Sequence, residues 1–219
     1  HFIREGIYYM EEAERLEKEY GLAEATYLVN KVSYDLLVRP MGMFQLIDYV
    51  GIDVFGCILK TMGQYLRNEN FSSNLIQKML EAKIVGGQRG DGSQKDGFLK
   101  YEKGQPAGVY CLKSQKYKMF ATPGWNSELD KKLGDYPKTW RSWKALQNDS
   151  KKDEKLKSFF AELKTSGTLG AQLAQFYLAK SKLIALKLVT DGVAYTKDDV
   201  DTVLLTGFFH IYGITKVEF

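Results

Sequence analysis

The chain has 219 residues, of which 44% are hydrophobic and 26% charged, a balance that excludes a disordered or fibrous protein. Its net charge of +4 fits a small anionic ligand but falls short of the clustered basic face of a nucleic-acid-binding protein. The two cysteines, Cys57 and Cys111, share no CxxC motif and indicate a reduced, cytoplasmic protein. No apolar run reaches the roughly 18 residues of a membrane span.

The first helix is predicted over residues 2–20, where apolar residues recur at helical spacing until Gly21 ends it. These residues are Ile3, Ile7, Met10, Ala13 and Leu16. Because the helical pattern is already under way at residue 1, we expect the chain to be a fragment of a longer protein. A second helix runs from about 24 to 37 and stops before Pro40, which restricts the preceding residue to an extended conformation.

The next helical stretch starts near Met43 and contains a longer apolar stripe. The stripe consists of Ile47, Val50, Val54, Ile58 and Met62. Gly51 interrupts this stretch, and Asp53 is placed to cap its restart. Another helix is predicted over 73–84.

Residues 86–97, GGQRGDGSQKDG, must form a loop, because they include five glycines and no apolar residue. Short alternating runs at 98–101 and 109–112 then predict a small β-hairpin. The polar sequence from 116 to 167 predicts one or two connecting helices. We interpret its charged run, 151–157, as a solvated helix face.

The C-terminal part begins with a long amphipathic helix, predicted over about 169–190. A shorter helix follows over about 196–206. Thr196 and Asp199 have capping-box spacing, which fixes the start of this helix.

An internal repeat relates the two ends of the chain, since residues 20–44 align without a gap with residues 191–215. The matched pairs include Gly21 with Gly192, Ala23 with Ala194, Val29 with Val200, Asn30 with Asp201, Val32 with Val203, and Gly42 with Gly213. Each stretch follows an amphipathic helix. The repeated unit is therefore a long helix, a glycine turn, a short helix and a second turn, which indicates a duplication in which two helical subdomains pack together.

Several motifs resemble, in their order, the C-terminal domain of the 3-hydroxyacyl-CoA dehydrogenases. They are YGLA at 20–23, RPMGMFQLIDYVGIDV at 39–54, KMLE at 78–81, and GFLKY at 97–101 after the glycine-rich loop. The resemblance implies an all-α fold of two repeated helical subdomains, similar to the C-terminal domain of 6-phosphogluconate dehydrogenase, with one small β-hairpin. We expect a first domain of this type at 1–118, a connecting helical region at 119–167, and a second, shorter repeat at 168–219.

The resemblance also implies a function, as the C-terminal portion of an NAD-dependent 3-hydroxyacyl-CoA dehydrogenase of fatty acid β-oxidation or related acyl-CoA metabolism. In that family a His–Glu base and the NAD are held by an N-terminal nucleotide-binding domain. The expected partners are therefore acyl-CoA and that domain, with neither nucleic acid nor a membrane. The glycines at 87, 90 and 92 do not form the dinucleotide motif, and no metal-ligand cluster is present, so we expect no catalytic, cofactor or metal site in this chain.

By the same resemblance, four residues lie on the substrate side of the acyl-CoA cleft. They are Pro40, Met41, Gly42 and Phe44. Pro40 stops a helix and Gly42 lets the backbone turn closely, while Met41 and Phe44 either line an apolar acyl pocket or belong to the core.

Three other polar residues are interpreted as structural. Asp48 and Asp53 are predicted to be helix-end caps rather than acids. His210, which aligns with Arg39, is predicted to be a turn residue rather than a base.

Two alternative functions remain open, the helical C-terminal domain of another two-domain hydroxy-acid dehydrogenase, and a non-catalytic interaction module. A strand followed by Gly-x-Gly-x-x-Gly upstream of residue 1 would favour a dehydrogenase. The duplication further predicts a pseudo-dimer within one chain, in which the two repeats pack about a pseudo-twofold axis.

Overall fold

The computed structural model describes residues 1–218, and helices dominate it. In these residues the α-helices are α1 Phe2–Tyr20, α2 Leu22–Asp35, α3 Met43–Val50, α4 Ile52–Tyr65, α5 Asn74–Glu81, α6 Trp125–Leu133, α7 Trp143–Leu146, α8 Lys152–Thr165, α9 Leu169–Thr190 and α10 Lys197–Gly207. The strands are β1 Leu99–Glu102, β2 Gln105–Cys111 and β3 Lys116–Met119. The predicted all-α class with a small β element is confirmed. None of the helices in residues 1–218 is long and apolar enough to cross a membrane.

Helices α1 and α9 have the bounds that the hydrophobic spacing predicts. In α1 the buried face includes Ile7, Met10, Ala13 and Leu16, four of the five residues that predicted it. Gly21 ends α1 in a left-handed conformation, with φ +87°. Only glycine adopts this conformation at little cost, so the stop depends on it.

The apolar stripe from Ile47 to Met62 does not form one continuous buried face, as its spacing had suggested. Gly51, with φ +107°, separates α3 from α4 and turns the chain between them. The buried residues of α4 are Ile52, Phe55 and Leu59. The stripe residue Val54 is exposed, because the glycine break changes the face of α4 that points into the core.

The sheet has three antiparallel strands in the order β1-β2-β3, where the sequence predicted a two-stranded hairpin. β2 pairs with β1 and also with β3, with Val109 opposite Leu99 on one side and opposite Lys118 on the other. The prediction missed β3 because its sequence, KYKM, is short and polar. The same region contains three helices, α6, α7 and α8, where one or two were predicted.

The charged run 151–157 lies at the start of α8, and its lysines are mostly exposed. Leu156 is the buried exception and points into the core with Phe159 and Leu163. The interpretation of this run as a solvated helix face is therefore confirmed.

The chain divides into two compact units. The N-terminal unit comprises residues 2–30 and 43–129, and the C-terminal unit comprises residue 1, residues 31–42 and the chain from 130 onward. Segment 31–42 therefore belongs to the compact unit formed by the second half of the chain. The family-type domains at 1–118, 119–167 and 168–219 follow sequence boundaries and stay a prediction.

Helix α10 begins with the capping box that its sequence predicts. The Thr196 hydroxyl accepts the backbone N–H of Asp199, and the Asp199 carboxylate accepts that of Thr196. We expect Thr196→Ala to lower the free energy of unfolding by about 1 kcal/mol, because a helix N–H loses its acceptor. Urea denaturation measures this, with the exposed Thr202→Ala of the same helix as the control that leaves stability nearly unchanged. Equal effects of the two substitutions would contradict the prediction.

Candidate functional site

The turn after α2 contains three of the four candidate substrate-binding residues. Val38 has φ +49°, a left-handed conformation that is unusual for a β-branched residue. The N–H of Arg39 donates to the carbonyl of Tyr34 at 3.0 Å and closes the turn. Beyond it, Pro40 and Met41 are half-buried and Gly42 is buried. Pro40 and Met41 therefore keep accessible surface, whereas Gly42 does not.

The side chain of Arg39 anchors this turn in the core of the C-terminal unit. Arg39 is buried, and its Nη2 donates to the Ser181 hydroxyl of α9 at 3.2 Å. The His1 ring also contacts Ser181, with Nε2 at 3.1 Å from its carbonyl oxygen. A buried cation is tolerated only with polar partners, so these contacts fix the residue that precedes Pro40.

A second set of contacts holds the same turn from outside the helix. The Tyr212 hydroxyl donates to the carbonyl of Leu37 at 2.7 Å, and the Trp140 indole donates to the carbonyl of Asp35 at 2.7 Å. Tyr136 donates to the Asp35 carboxylate at 2.7 Å. The last carbonyls of a helix have no hydrogen-bond partner within it. Trp140 and Tyr212 supply such partners at and just after the C-terminal end of α2.

Phe44, the fourth candidate, belongs to the N-terminal unit and lies in its core. Its side chain is fully buried, and its ring meets the Phe98 ring edge-on at a centroid distance of 4.8 Å. This placement favours the core interpretation that the sequence left open. A substrate-binding role for the four candidates stays a prediction, and Pro40 and Met41 are the two with accessible surface.

Asp48, predicted as a helix-end cap, instead joins α3 to both ends of the glycine-rich loop. Its backbone carbonyl accepts the N–H of Gly87 at 2.7 Å and the side-chain amide of Gln94 at 2.9 Å. Its carboxylate accepts the N–H groups of Phe98 at 2.7 Å and of Leu99 at 2.8 Å. Asp48 therefore caps the start of β1 and not the end of its own helix.

The Asp48 carboxyl group is completely buried, and the Tyr101 hydroxyl also donates to it at 3.0 Å. Burial raises its pKa to about 8, although the three hydrogen bonds that it accepts act in the opposite direction. The nearby Asp96 carboxylate raises the pKa further. Burial, and then Asp48 itself, also raise the pKa of Tyr101. The Asp48 carboxyl group is therefore closed off from a substrate in this arrangement, although the Tyr101 side chain is only partly buried.

His210 lies in the turn after α10, and its side chain is buried. Its N–H donates to the carbonyl of Leu204 at 3.0 Å. The preceding residue, Phe209, is left-handed with φ +53°, like Val38 before Arg39. Asp53 was predicted to cap α4, and this is wrong: the N-cap is Gly51, which has no side-chain hydrogen bond, and the exposed Asp53 lies inside the first turn, where it accepts the N–H of Val54.

Metal-ligand clusters and surface depressions are the remaining places where a ligand could bind. No group of three or more His, Cys, Asp or Glu side chains in residues 1–218 could hold a metal ion. Two shallow depressions have volumes of about 240 and 190 Å³. The larger is lined by Thr139, Arg141, Glu154, Lys155 and Ser158. The smaller is lined by residues of α1 and of the segment that leads into α5, namely Ile7, Met10, Glu11, Glu14, Asn70, Ser72, Ser73 and Asn74. Neither is lined by any of the four candidate residues.

Residues 6–96 match the family model described as 3-hydroxyacyl-CoA dehydrogenase, C-terminal domain. Over this segment the chain is thus similar to part of a hydroxyacyl-CoA or related hydroxy-acid dehydrogenase. The match covers less than half of the chain, and the duplication stays a prediction. The chain matches no curated protein and no solved structure.

Proposed function

We propose that this chain is the helical, substrate-side part of an NAD-dependent 3-hydroxyacyl-CoA dehydrogenase acting in β-oxidation or related acyl-CoA metabolism. The match of residues 6–96 to that family's C-terminal domain is the observation that supports this most directly. NAD is then bound by a nucleotide-binding domain outside these 219 residues, and acyl-CoA is the substrate. The chain provides part of the wall of the acyl-CoA cleft.

The reaction requires a base for the C3 hydroxyl proton and a nicotinamide that accepts the hydride. His210 and Asp48 are buried, so neither is placed to act as that base. The role of this chain is positioning. Arg39 and its Ser181 contact hold the turn, so that Pro40 and Met41 form a fixed apolar edge against which an acyl chain could lie.

We also propose that residues 20–44 and 191–215 are copies of one unit, as a pseudo-dimer within the chain would require. Left-handed residues occur at matched positions, Gly21 with Gly192 and Val38 with Phe209. Asn30 accepts the N–H of Gln45 at 3.1 Å, and its counterpart Asp201 accepts at 3.1 Å the N–H of Thr215, which lies one position earlier in the alignment than the counterpart of Gln45. The contact of Tyr212 with Leu37 joins the turn of one copy to that of the other. These agreements support a common origin.

The proposed function predicts that this chain alone does not reduce acetoacetyl-CoA with NADH, whereas the full-length protein from the same gene does. The physical reason is that base and cofactor lie on another domain. The measurement is NADH oxidation at 340 nm, with free acetoacetate as the control substrate. NADH oxidation by the isolated chain would refute the proposal that the base and the cofactor lie on another domain. A full-length enzyme that prefers free acetoacetate would favour the alternative of another hydroxy-acid dehydrogenase.

A further inference from the structure

The two outer edges of the three-stranded sheet differ in how their backbone groups are used. In an antiparallel pair, alternate residues of each strand point their N–H and C=O groups away from the partner strand. At the end of β3 the N–H of Phe120 donates to the carbonyl of Ala107 in β2. Because hydrogen-bonded pairs recur every second residue, Tyr117 and Met119 are the residues of β3 whose backbone groups point outward.

At the β1 edge the chain itself supplies partners for the outward N–H groups. The Asp48 carboxylate accepts the N–H of Leu99 at 2.8 Å, and the Asp96 carboxylate accepts the N–H of Tyr101 at 2.9 Å. The other oxygen of Asp96 accepts a hydrogen bond from the Lys100 ammonium group at 2.6 Å. One acidic side chain thus pairs with an outward N–H and with a lysine of the same strand, and this edge is closed.

At the β3 edge the outward groups lack such partners within residues 1–218. The Met119 carbonyl accepts the Trp125 indole N–H at 2.9 Å. The N–H of Met119 and both backbone groups of Tyr117 make no hydrogen bond to the described part of the chain. A strand edge with unpaired donors and acceptors is a place where a further strand can add.

The charge beside the β3 edge is positive. Lys116 and Lys118 project to the same face of β3, because side chains two residues apart in a strand share a face. Lys118 is paired with Glu24, whereas Lys116 is exposed and has no ion-pair partner within residues 1–218. Lys113, in the turn before β3, is exposed as well. Pairing with the β3 of a second copy would bring like charges together, so the charge of this edge is complementary to an acidic strand.

We propose that the β3 edge, formed by residues 116–119, binds an extended acidic segment of a partner protein as an additional strand. The backbone of that segment pairs with the outward groups of Tyr117 and Met119, and its carboxylates lie beside Lys116. Alternation along a strand places its other side chains, which are apolar, against the half-buried Tyr117 and Met119. This inference does not rest on the proposed dehydrogenase function, and its failure would leave the assay with acetoacetyl-CoA unaffected.

The probe for this edge is a fluorescein-labelled peptide, SGEVEVEGS, which alternates glutamate with valine. Fluorescence anisotropy is measured while the 219-residue chain is titrated into it, and we expect saturable binding. The matched peptide SGKVKVKGS should bind at least tenfold more weakly, because its ammonium groups are repelled by Lys116. A third peptide has the first sequence with its glutamate and valine backbone nitrogens methylated. It keeps every charge but cannot donate backbone hydrogen bonds from these residues, so it should also bind at least tenfold more weakly.

Lys116→Glu tests the position of the site on the protein. We expect it to weaken binding of the glutamate peptide at least fivefold, because it reverses the charge beside the edge. Lys60→Glu, at an exposed lysine of α4, is the matched control. It changes the net charge equally and should bind the peptide as the wild type does. Both positions are exposed, so neither substitution should unfold the chain.

Four results would overturn the proposal. The first is the absence of saturable binding of the glutamate peptide at millimolar protein. The second is equal binding of the methylated peptide, which would mean that charge alone attracts it without strand pairing. The third is unchanged binding to Lys116→Glu, which would place the peptide elsewhere on the chain. The fourth is a dimer of the chain in light scattering that the glutamate peptide dissociates, which would assign the edge to a second copy.

Discussion

Gly97→Ala should lower the free energy of unfolding by about 3 kcal/mol or more, a large part of the stability of a typical domain. A Cβ atom at Gly97 would overlap both oxygens and the Cγ of the Asp48 carboxylate. Asp48 cannot retreat without losing hydrogen bonds from Phe98 and Leu99 and leaving a buried acid with fewer partners. Urea denaturation followed by far-UV circular dichroism measures the change.

Gly90→Ala in the same loop is the matched control. A Cβ atom at Gly90 would meet nothing within 4 Å, and its φ is not left-handed. The substitution should therefore leave stability within about 0.5 kcal/mol of the wild type. If the two variants were equally stable, contact between the loop and Asp48 would not be an important constraint on the fold.

Local patterns in the sequence were sufficient to predict most of the helices. The spacing of apolar residues located α1 and α9, and Gly21 located the end of α1. These signals are short-range, because a helix buries residues three and four positions apart and ends where glycine or a cap allows it. Thr196 and Asp199 show this best, since a spacing of three residues specified both hydrogen bonds.

Features that depend on distant partners were not predictable in the same way. β3 has little apolar character and forms because β2 offers it a paired edge. The role of Asp48 depends on Phe98, fifty residues away, and the sequence offered only an indirect signal in Gly97, a glycine whose missing side chain makes room for the carboxylate. The burial of Arg39 depends on Ser181, which no local pattern connects to it.

The candidate site was predictable only as a stretch of chain and not as a set of exposed side chains. The resemblance indicated the turn from Pro40 to Phe44, and the family match covers it. Hydrophobicity could not distinguish Met41, which keeps accessible surface, from Phe44, which packs on Phe98. Both are large and apolar, and only the tertiary contacts separate a pocket wall from a core.

The buried acid of Asp48 should make the stability of the protein fall as pH rises from about 4 to about 8. An Asp carboxyl has a pKa of about 3.9 in an unfolded chain, and burial raises that of Asp48 to about 8 in the folded state. Between these values the folded state keeps a proton that the unfolded state has released. The stabilisation is fully present below about pH 4 and is lost as pH rises through 8, by at most about 1.4 kcal/mol per pH unit.

Asp48→Asn removes this titration and is the variant that tests it. At pH 5 the variant should be less stable than the wild type by about 1–3 kcal/mol, because its amide N–H groups would face the N–H of Phe98 or Leu99. As pH rises to 8 the wild type loses this contribution, by roughly 3–4 kcal/mol in total, and the variant does not, so the difference between them should shrink and then change sign. Asp53→Asn, at an exposed carboxyl on the next helix, is the control that keeps the wild-type slope.

Urea denaturation at pH 5, 6, 7 and 8 gives, at each pH, the difference in free energy of unfolding between the wild type and Asp48→Asn. Comparison with the wild type at each pH is necessary because other carboxyl groups titrate in the same window. Burial raises the pKa of Glu14, while a hydrogen bond from Ser93 lowers that of Asp91, so their contributions oppose each other. Because these groups are common to both proteins, only the Asp48 contribution remains in the difference. A difference that stayed constant from pH 5 to 8 would mean that Asp48 is ionised in the folded protein throughout, with its three hydrogen-bond donors outweighing the cost of burial.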